Sequence, residues 1–277
     1  MRTTTKAYTN SRNGVKNSKK DIVVIKLGGS TLGSHDTTLE DLVVLQSNGQ
    51  QLVVIHGGGQ VATDWMGRLD LPTRFVDGLR VTDAESLRVV AGTLAGFINK
   101  ELVAAIHMRG GKAIGLSGVD GGLIQARIKN AEIGYVGEIT RTNIAPVEAI
   151  LGIGCIPLIA PLSLEWPAKS EESGFILNVN GDTAAGEIAA ALKASKLVFL
   201  TDVEGVGDRS GNLVSKLSVD EARSLIDSGV AVGGMIPKIE ACLRALSTVP
   251  VTRIIDGRVA HALLREMGGK NGGTTIK

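Results

Sequence analysis

Aromatic side chains are scarce in this sequence, with four Phe, two Trp and two Tyr among 277 residues. A core with so few rings must be closed by Ala, Val, Leu and Ile, and the many Gly and Ala favour helices lying close on a sheet. Cysteine is nearly absent as well. Cys155 and Cys242 are isolated within apolar patterns, there is no C-x-x-C, and only four histidines are scattered through the chain. That composition excludes a disulfide framework and a zinc site, leaves both thiols as small buried hydrophobes, and fits a reducing compartment, the cytoplasm. Neither G-x-x-x-x-G-K-[ST] nor G-x-G-x-x-G occurs, which removes two common glycine-based nucleotide motifs. A secretory apolar segment and an apolar run long enough to span a bilayer are also missing.

The net charge of +2 conceals an asymmetry. Residues 1–20 hold six bases, Arg2, Lys6, Arg12, Lys16, Lys19 and Lys20, and no acid, so the remainder carries 24 bases against 28 acids, a net of −4. A body of that charge offers no electrostatic footprint for nucleic acid. The basic segment has too few apolar residues to offset its own ordering entropy and is expected to be a disordered tail. Ala7, Tyr8 and Val15 do not make the amphipathic face that a transit peptide needs.

What is present centres on DIVVIKLGGSTLG, Asp21 to Gly33, and LVVIHGGGQ, Leu52 to Gln60. Each is a short β-branched run, long enough for one buried strand, that ends in Lys or His followed by glycines. Lacking a Cβ, glycine lets backbone N–H groups approach a phosphate, and a helix N-terminus behind the turn adds positive potential. Lys26 stands beside Gly28 and Gly29. Gly57, Gly58 and Gly59 lead into a helical pattern of Val61, Ala62, Trp65, Met66 and Leu69. The pair reads as a polyanion site, the alternative being two ordinary strand-to-helix turns. His56 reads as a hydrogen-bonded packing residue.

Farther along, Leu71 to Ser86 is extended and polar, and its Arg80 suits either a substrate carboxylate or a surface ion pair. Thr82 and Glu85 have capping-box spacing before a long helix with Leu87, Val90, Leu94, Ile98, Leu102 and Ile106 on one face, which suits core packing or a subunit contact. A strand from Lys112 to Leu116, a hairpin over 123–139, a helix near 145–151 and a strand from Cys155 to Ser163 follow. Glu165 to Gly174 is polar and is the expected lobe junction. In NVNGD, Asn178, Asn180 and Asp182 alternate before a helix, so an extended chain points all three to one side, the alternative being an N-cap at Asp182 with the asparagines in a turn. KLVFLT, Lys196 to Thr201, is a buried strand that delivers TDVEGVG to the end where open α/β sheets bind ligands. Ser218 and Glu221 cap the next helix, and Gly233-Gly234 precede another that carries Lys238 in or near its first turn. VTRIID and a helix around 259–267 complete the order. Alternating strands and helices with short connections favour a mostly parallel sheet covered on both faces.

Read together, KLGGS, HGGGQ, FVDGLRVTDAES, GLSGVDGGL, YVGEI, NVNGDTAAGEIAAAL, LTDVEGV, GGMIPKIEA and IIDGRVAHALL stand in the order of the amino acid kinase family, which this chain resembles from about Ile22 to Ile276. The resemblance implies a three-layer α/β/α sandwich in two lobes, with residues 21–173 for amino-acid substrate binding and dimerisation and 174–277 for ATP. It is nearest to members that pass the ATP γ-phosphoryl to the side-chain carboxylate of N-acetyl-L-glutamate, the second step of arginine synthesis. By the same resemblance Lys26 and Lys238 would stabilise the transferring phosphoryl and Asp182 would orient them. Gly58, Gly59, Arg80 and Asn178 would bind acetylglutamate. Gly28, Gly29, Asp202, Val203, Glu204, Gly205, Val206, Gly207, Val230, Ala231 and Val232 would line the nucleotide site.

Magnesium is expected to arrive with ATP, with no protein-held metal site. A carboxylate acceptor, ionised above about pH 4.3, needs no general base. Arginine-inhibited relatives join dimers into a hexamer through an apolar N-terminal helix. The tail here has no such face, so a homodimer without that inhibition is expected. Two rival readings are a kinase of carrier-linked aminoadipate in lysine synthesis and a catalytically silent amino-acid sensor. Retention of both lysines opposes the second.

Overall fold

The computed structural model describes residues 21–28, 37–76, 78–167, 175–270 and 272–277. The expected basic tail and Gly29 lie outside the described residues, as does most of the expected lobe junction.

The first half of the chain runs β1 (Ile22–Leu27), α1 (Thr38–Ser47), β2 (Gln51–His56), α2 (Gly59–Arg68), the short strands β3 (Phe75–Val76) and β4 (Leu79–Arg80), then α3 (Ala84–Ala91) and α4 (Asn99–Met108). After these come β5 (Ala113–Gly118), β6 (Ile124–Ile128), β7 (Gly137–Thr142), α5 (Ala145–Gly152), β8 (Ile156–Glu165) and β9 (Ile176–Asn178). The remainder is α6 (Gly181–Leu192), β10 (Lys196–Thr201), β11 (Lys216–Leu217), α7 (Val219–Asp227), α8 (Met235–Ala245), β12 (Thr252–Asp256), α9 (Ala262–Met267) and β13 (Thr274–Ile276).

Eleven strands form one sheet in the order β11-β13-β12-β10-β1-β2-β8-β6-β7, with β5 and β9 also paired to β8. The central pairs β12–β10, β10–β1, β1–β2 and β2–β8 are all parallel, whereas β6–β7, β8–β9 and β12–β13 are antiparallel. Strand β1 lies at the middle because it is buried along its whole length, which a strand covered by helices on both faces requires. Its alternation divides the core. Val23, Ile25 and Leu27 pack with α1 to α4 and α9, while Ile22 and Val24 pack with α5, α6 and α8. This is the expected α/β/α sandwich with a mostly parallel sheet.

The same alternation positions two polar strand ends. Lys26 follows Ile22 and Val24 onto the face covered by α6 and α8. His56 follows Leu52 and Val54 onto the face covered by α3 and α4.

Several local expectations need correction. The helix after β4 is capped by Asp83, whose carboxylate accepts from the Ser86 N–H at 2.8 Å. Thr82 instead bonds the Arg80 carbonyl and bridges to Gly134, so no capping box forms there. The Ser218–Glu221 capping box does form. Helix α6 is capped by Asn180, which accepts from the N–H groups of Asp182 and Thr183, so Asp182 lies within the first turn. A π-helical segment, Gly92–Ile98, joins α3 to α4 where one uninterrupted α-helix was expected.

Joined in this way, Ala84–Met108 makes a helix of 25 residues with a mean hydropathy of 1.5 over its most apolar stretch. By length and composition it could cross a bilayer, contrary to the expectation that no run was long enough. Its Leu87, Val90, Leu94, Ile98, Leu102 and Ile106 are nevertheless buried in the core, which accounts for that character. Strands β11 and β13 were not foreseen. The two cysteines are free, and burial is the main cause of a Cys242 thiol pushed up to about 12.

Close approach of α6 and α8 depends on Gly186. A Cβ there would stand 2.7 Å from the Ala241 carbonyl oxygen and 3.0 Å from its Cα. Backbone gives way less readily than a side chain, so Gly186→Val is expected to cost about 2 kcal/mol and lower the melting temperature by several degrees in a thermal scan. An unchanged melt would show that the two helices can separate freely.

Candidate active site

Three chain segments converge at the C-terminal end of β1. Lys26 leaves the strand toward α6, Asp182 lies in the first turn of α6, and Lys238 lies one turn into α8. Lys26 Nζ is 2.8 Å from Asp182 Oδ1 and Lys238 Nζ is 3.0 Å from Oδ2, with all three side chains largely out of water. The Lys238 contact is a directed hydrogen bond. The Lys26 contact is equally short, but Oδ1 has no partner in hydrogen-bonding geometry, which makes it first an ion pair. Burial is the largest influence on the Asp182 carboxyl and raises its pKa, but the two ammonium groups outweigh it and hold the group below the ordinary carboxylate range. Lys238 Nζ also donates to the Gly234 carbonyl at 3.2 Å, which anchors the ammonium to the turn before its own helix.

Lys26 forms one wall of a cavity of about 220 Å³ that Gly57, Gly58, Gly59, Arg80 and Asn178 also line. Arg80, buried at the end of β4, makes no ion pair with an acid among the described residues. Its Nη2 donates to the Gly59 carbonyl at 2.8 Å and to Thr63 Oγ1 at 2.6 Å, and its guanidinium stacks 4.8 Å from the centre of the Phe75 ring. A buried cation whose partners among the described residues are all neutral favours an anionic ligand, and burial already lowers its pKa. Asn178 donates to Thr82 Oγ1 at 3.2 Å, tying β9 to the end of the β4 segment.

The remaining expected residues divide. Asp202 to Gly207 line a second cavity of about 390 Å³ together with Gly211, Leu213 and Arg258. Its floor is fastened by Thr274 on β13, whose hydroxyl accepts from the Val206 N–H at 2.8 Å and donates to the Val214 carbonyl at 2.7 Å. Gly28 continues β1, its N–H donating to the Leu200 carbonyl at 3.0 Å. Val230, Ala231 and Val232 line neither cavity. Ala231 is buried, its N–H donating to the Leu225 carbonyl at 2.8 Å, and Val232 is exposed. The structure thus brings Lys26, Asp182 and Lys238 together beside Gly58, Gly59, Arg80 and Asn178, and keeps the 202–207 loop in its own cavity.

The model of the amino acid kinase family matches residues 21–256. The chain belongs to that family. An acetylglutamate kinase of Dehalococcoides mccartyi is 47% identical over 255 residues, covering 92% of this chain and 94% of that one. A Streptococcus mutans protein of known crystal structure superposes with a TM-score of 0.78 at 30% identity, over 93% of this chain and 99% of its own. An N-acetylglutamate synthase from Neisseria gonorrhoeae, solved with coenzyme A and N-acetyl-glutamate, gives a TM-score of 0.79 at 28% identity, with 59% of its length covered.

Some residues of this kinase-family site escaped sequence reasoning. Thr63 and Phe75 contact Arg80, and Asn180 both caps α6 and lines the cavity. The N-x-N-x-D alternation contained Asn180 but did not distinguish cap from ligand. Asn99, buried beneath the HGGG turn, bonds to His56. In sequence it appears only as one polar break in an apolar helix face.

His56 has consequences for stability. Burial, the dominant cause, with the Lys26 and Lys100 charges, lowers its pKa from 6.5 to about 4 despite the opposing bond to Gly57. The folded ring therefore stays neutral where the unfolded ring takes a proton, and the unfolded state binds more protons across that window. Stability attributable to His56 is present above pH 6.5 and is lost as the pH falls toward 4, by about 3 kcal/mol at most. Melting temperatures measured between pH 7 and pH 4.5 should fall in the wild type and fall less in His56→Gln. Parallel curves would rule out this source of acid sensitivity.

Proposed function

We propose that this chain catalyses ATP-dependent phosphorylation of the side-chain carboxylate of N-acetyl-L-glutamate. The reading rests on one arrangement, two buried ammonium groups on one carboxylate at the edge of a cavity that also contains the buried Arg80 cation. The near-full-length identity with an acetylglutamate kinase supports the same substrate.

Phosphoryl transfer asks mainly for positioning and for neutralisation of spreading charge. In this reading Arg80 and Asn178 hold an N-acetylglutamate carboxylate at one end of the cavity, and Ala62, Val90 and Leu94 give the acetyl methyl an apolar wall. The side-chain carboxylate then points toward Lys26. Gly58 and Gly59 offer backbone donors, Lys26 and Lys238 neutralise the transferring group, and Asp182 keeps their ammonium groups apart and aimed. The acceptor is ionised at neutral pH, so no group need remove a proton.

In this reading the nucleotide occupies the cavity lined by Asp202 to Gly207 and reaches toward Gly28 at the end of β1, while Gly29 and Val230 to Val232 are nucleotide residues on the family resemblance alone. Residues 21–173 then supply most of the substrate side and the dimer contact and 174–277 most of the ATP side, with Asn178 reaching into the first and Gly28 into the second. No three His, Cys, Asp or Glu side chains converge among the described residues. A hard dication that keeps its waters and binds phosphate oxygens fits such a site without a protein cage. When bound with ATP, magnesium would supply further charge neutralisation.

Alanine at Lys26 or Lys238 should reduce turnover by about 10² or more in an ATP and acetylglutamate assay. The assay is best run beside aspartate, glutamate, UMP and aminoadipate, because near-normal rates in both variants, or turnover on another acceptor alone, would end this reading.

A homodimer is part of the proposal. Trp65 and Phe97 meet edge to face at 6.2 Å on the outer side of α2 and the π-helical segment, and both remain well exposed, as does Met108 farther along. Phe97→Glu should shift the mass in analytical ultracentrifugation from dimer to monomer. A wild-type monomer or hexamer would contradict this assignment. Two free thiols and the use of ATP fit the cytoplasm.

A further inference from the structure

The peptide under the second glycine turn is held by a run of hydrogen bonds that begins away from the cavity. Lys100 has only donors to offer, and its Nζ lies 3.0 Å from Asn99 Oδ1 and 3.1 Å from the Gly115 carbonyl oxygen. This determines which way the buried Asn99 amide faces, with oxygen toward Lys100 and nitrogen toward the sheet. Asn99 Nδ2 donates to the Leu158 carbonyl at 2.9 Å and stands 3.1 Å from His56 Nε2. A donor facing Nε2 makes that nitrogen the acceptor. The ring proton is then on Nδ1, 2.8 Å from the Gly57 carbonyl oxygen.

The C=O and N–H of a trans peptide point in opposite directions. With the Gly57 carbonyl turned toward the ring, the Gly58 N–H in the same peptide is turned away from it. That N–H has no backbone partner among the described residues, and Gly57, Gly58 and Gly59 all line the 220 Å³ cavity.

We propose that Asn99 is a positioning residue for phosphoryl transfer, acting through His56 to aim the Gly58 N–H into the cavity. Two glycines leave room for the device. A Cβ at Gly115 would collide with Asn99 Oδ1, and a Cβ at Gly58 would collide with Ile98, the last residue of the π-helical segment. π-Helical turns tend to mark functional sites, and this one ends directly before Asn99. The proposal rests on the kinase reading above, specifically on Gly58 facing the substrate.

The decisive variant is Asn99→Asp. A carboxylate at this position draws the ring proton to Nε2 and leaves the Nδ1 lone pair against the Gly57 carbonyl, so the peptide is no longer held. The expected result is a fall in kcat of about 10²-fold at pH 8, the scale of losing one aimed donor, with the KM for ATP within about threefold. Acidification should restore part of kcat, because a second ring proton returns the Nδ1–H and the new carboxylate favours it. The charged side chains acting on the ring, Lys26 from β1 and Lys100 from α4, are the same in both proteins.

Nitrogen-15 NMR of histidine-labelled protein should show the Nδ1–H form of His56 in the wild type and its loss in Asn99→Asp at pH 8. Should that variant not fold, Gly115→Ala displaces Asn99 from outside the cavity and should lower kcat in the same sense, by less. Unchanged kcat in Asn99→Asp, or a fall in kcat with the Nδ1–H form intact, would overturn the relay. The tautomer is read without turnover. An inactive wild type therefore counts against the kinase reading, and an active wild type with the Nε2–H form counts against the relay alone.

Discussion

Lys26 and Lys238 come from opposite ends of the chain to a single carboxylate that is itself out of water. Two ammonium groups so close repel each other, and burial alone would push Asp182 toward its neutral form, which would remove the reason for either lysine to be there. The arrangement stands because the two attractions together exceed the desolvation penalty. Much of the fold serves this balance. Strand β1 must end with Lys26 on the α6 face, Asn180 must start α6 so that Asp182 falls in its first turn, and Gly186 must let α8 lie close enough for Lys238 to reach. In the proposed reaction the phosphates of ATP add the negative charge that this cationic pair still lacks.

The central architecture was legible because its signals are local. The strand KLVFLT was bounded correctly from Lys196 to Thr201, and β1 and β2 stand out as β-branched runs before glycines. Lys26, Asp182 and Lys238 were singled out because each lies in a short run typical of the family, and the structure brings the three side chains together. What escaped was decided by partners distant in sequence. Thr82 with Glu85 has capping-box spacing, but Gly134 claims Thr82 for a bridge and leaves the cap to Asp83. Strand β13 follows a glycine-rich stretch and is a strand because β11 and β12 flank it. The π-helical segment carries Gly92 and Gly96, which weaken a helix without indicating which hydrogen-bond spacing it adopts.

The proposed nucleotide side shows the same limit. Asp202 to Gly207 follow a buried strand and line a cavity, as their position at the strand end suggested. Val230 to Val232 came from resemblance alone, and no local pattern indicated whether they would face a cavity. Thr274, which anchors Val206 from across the sheet, left no trace in the sequence beyond a short Thr-Thr-Ile run.

Lys26 and His56 leave neighbouring strands on opposite sides of the sheet, so the charged half of the site and the amide half are embedded in separate packing layers. Drift among the apolar residues around α3 and α4 can retune the glycine turn while the lysine pair keeps its spacing, and drift around α6 and α8 can do the reverse. A lineage can thus explore new acceptors and new phosphate-handling geometry along largely independent mutational routes, with the pleat of one strand pair as the partition between them.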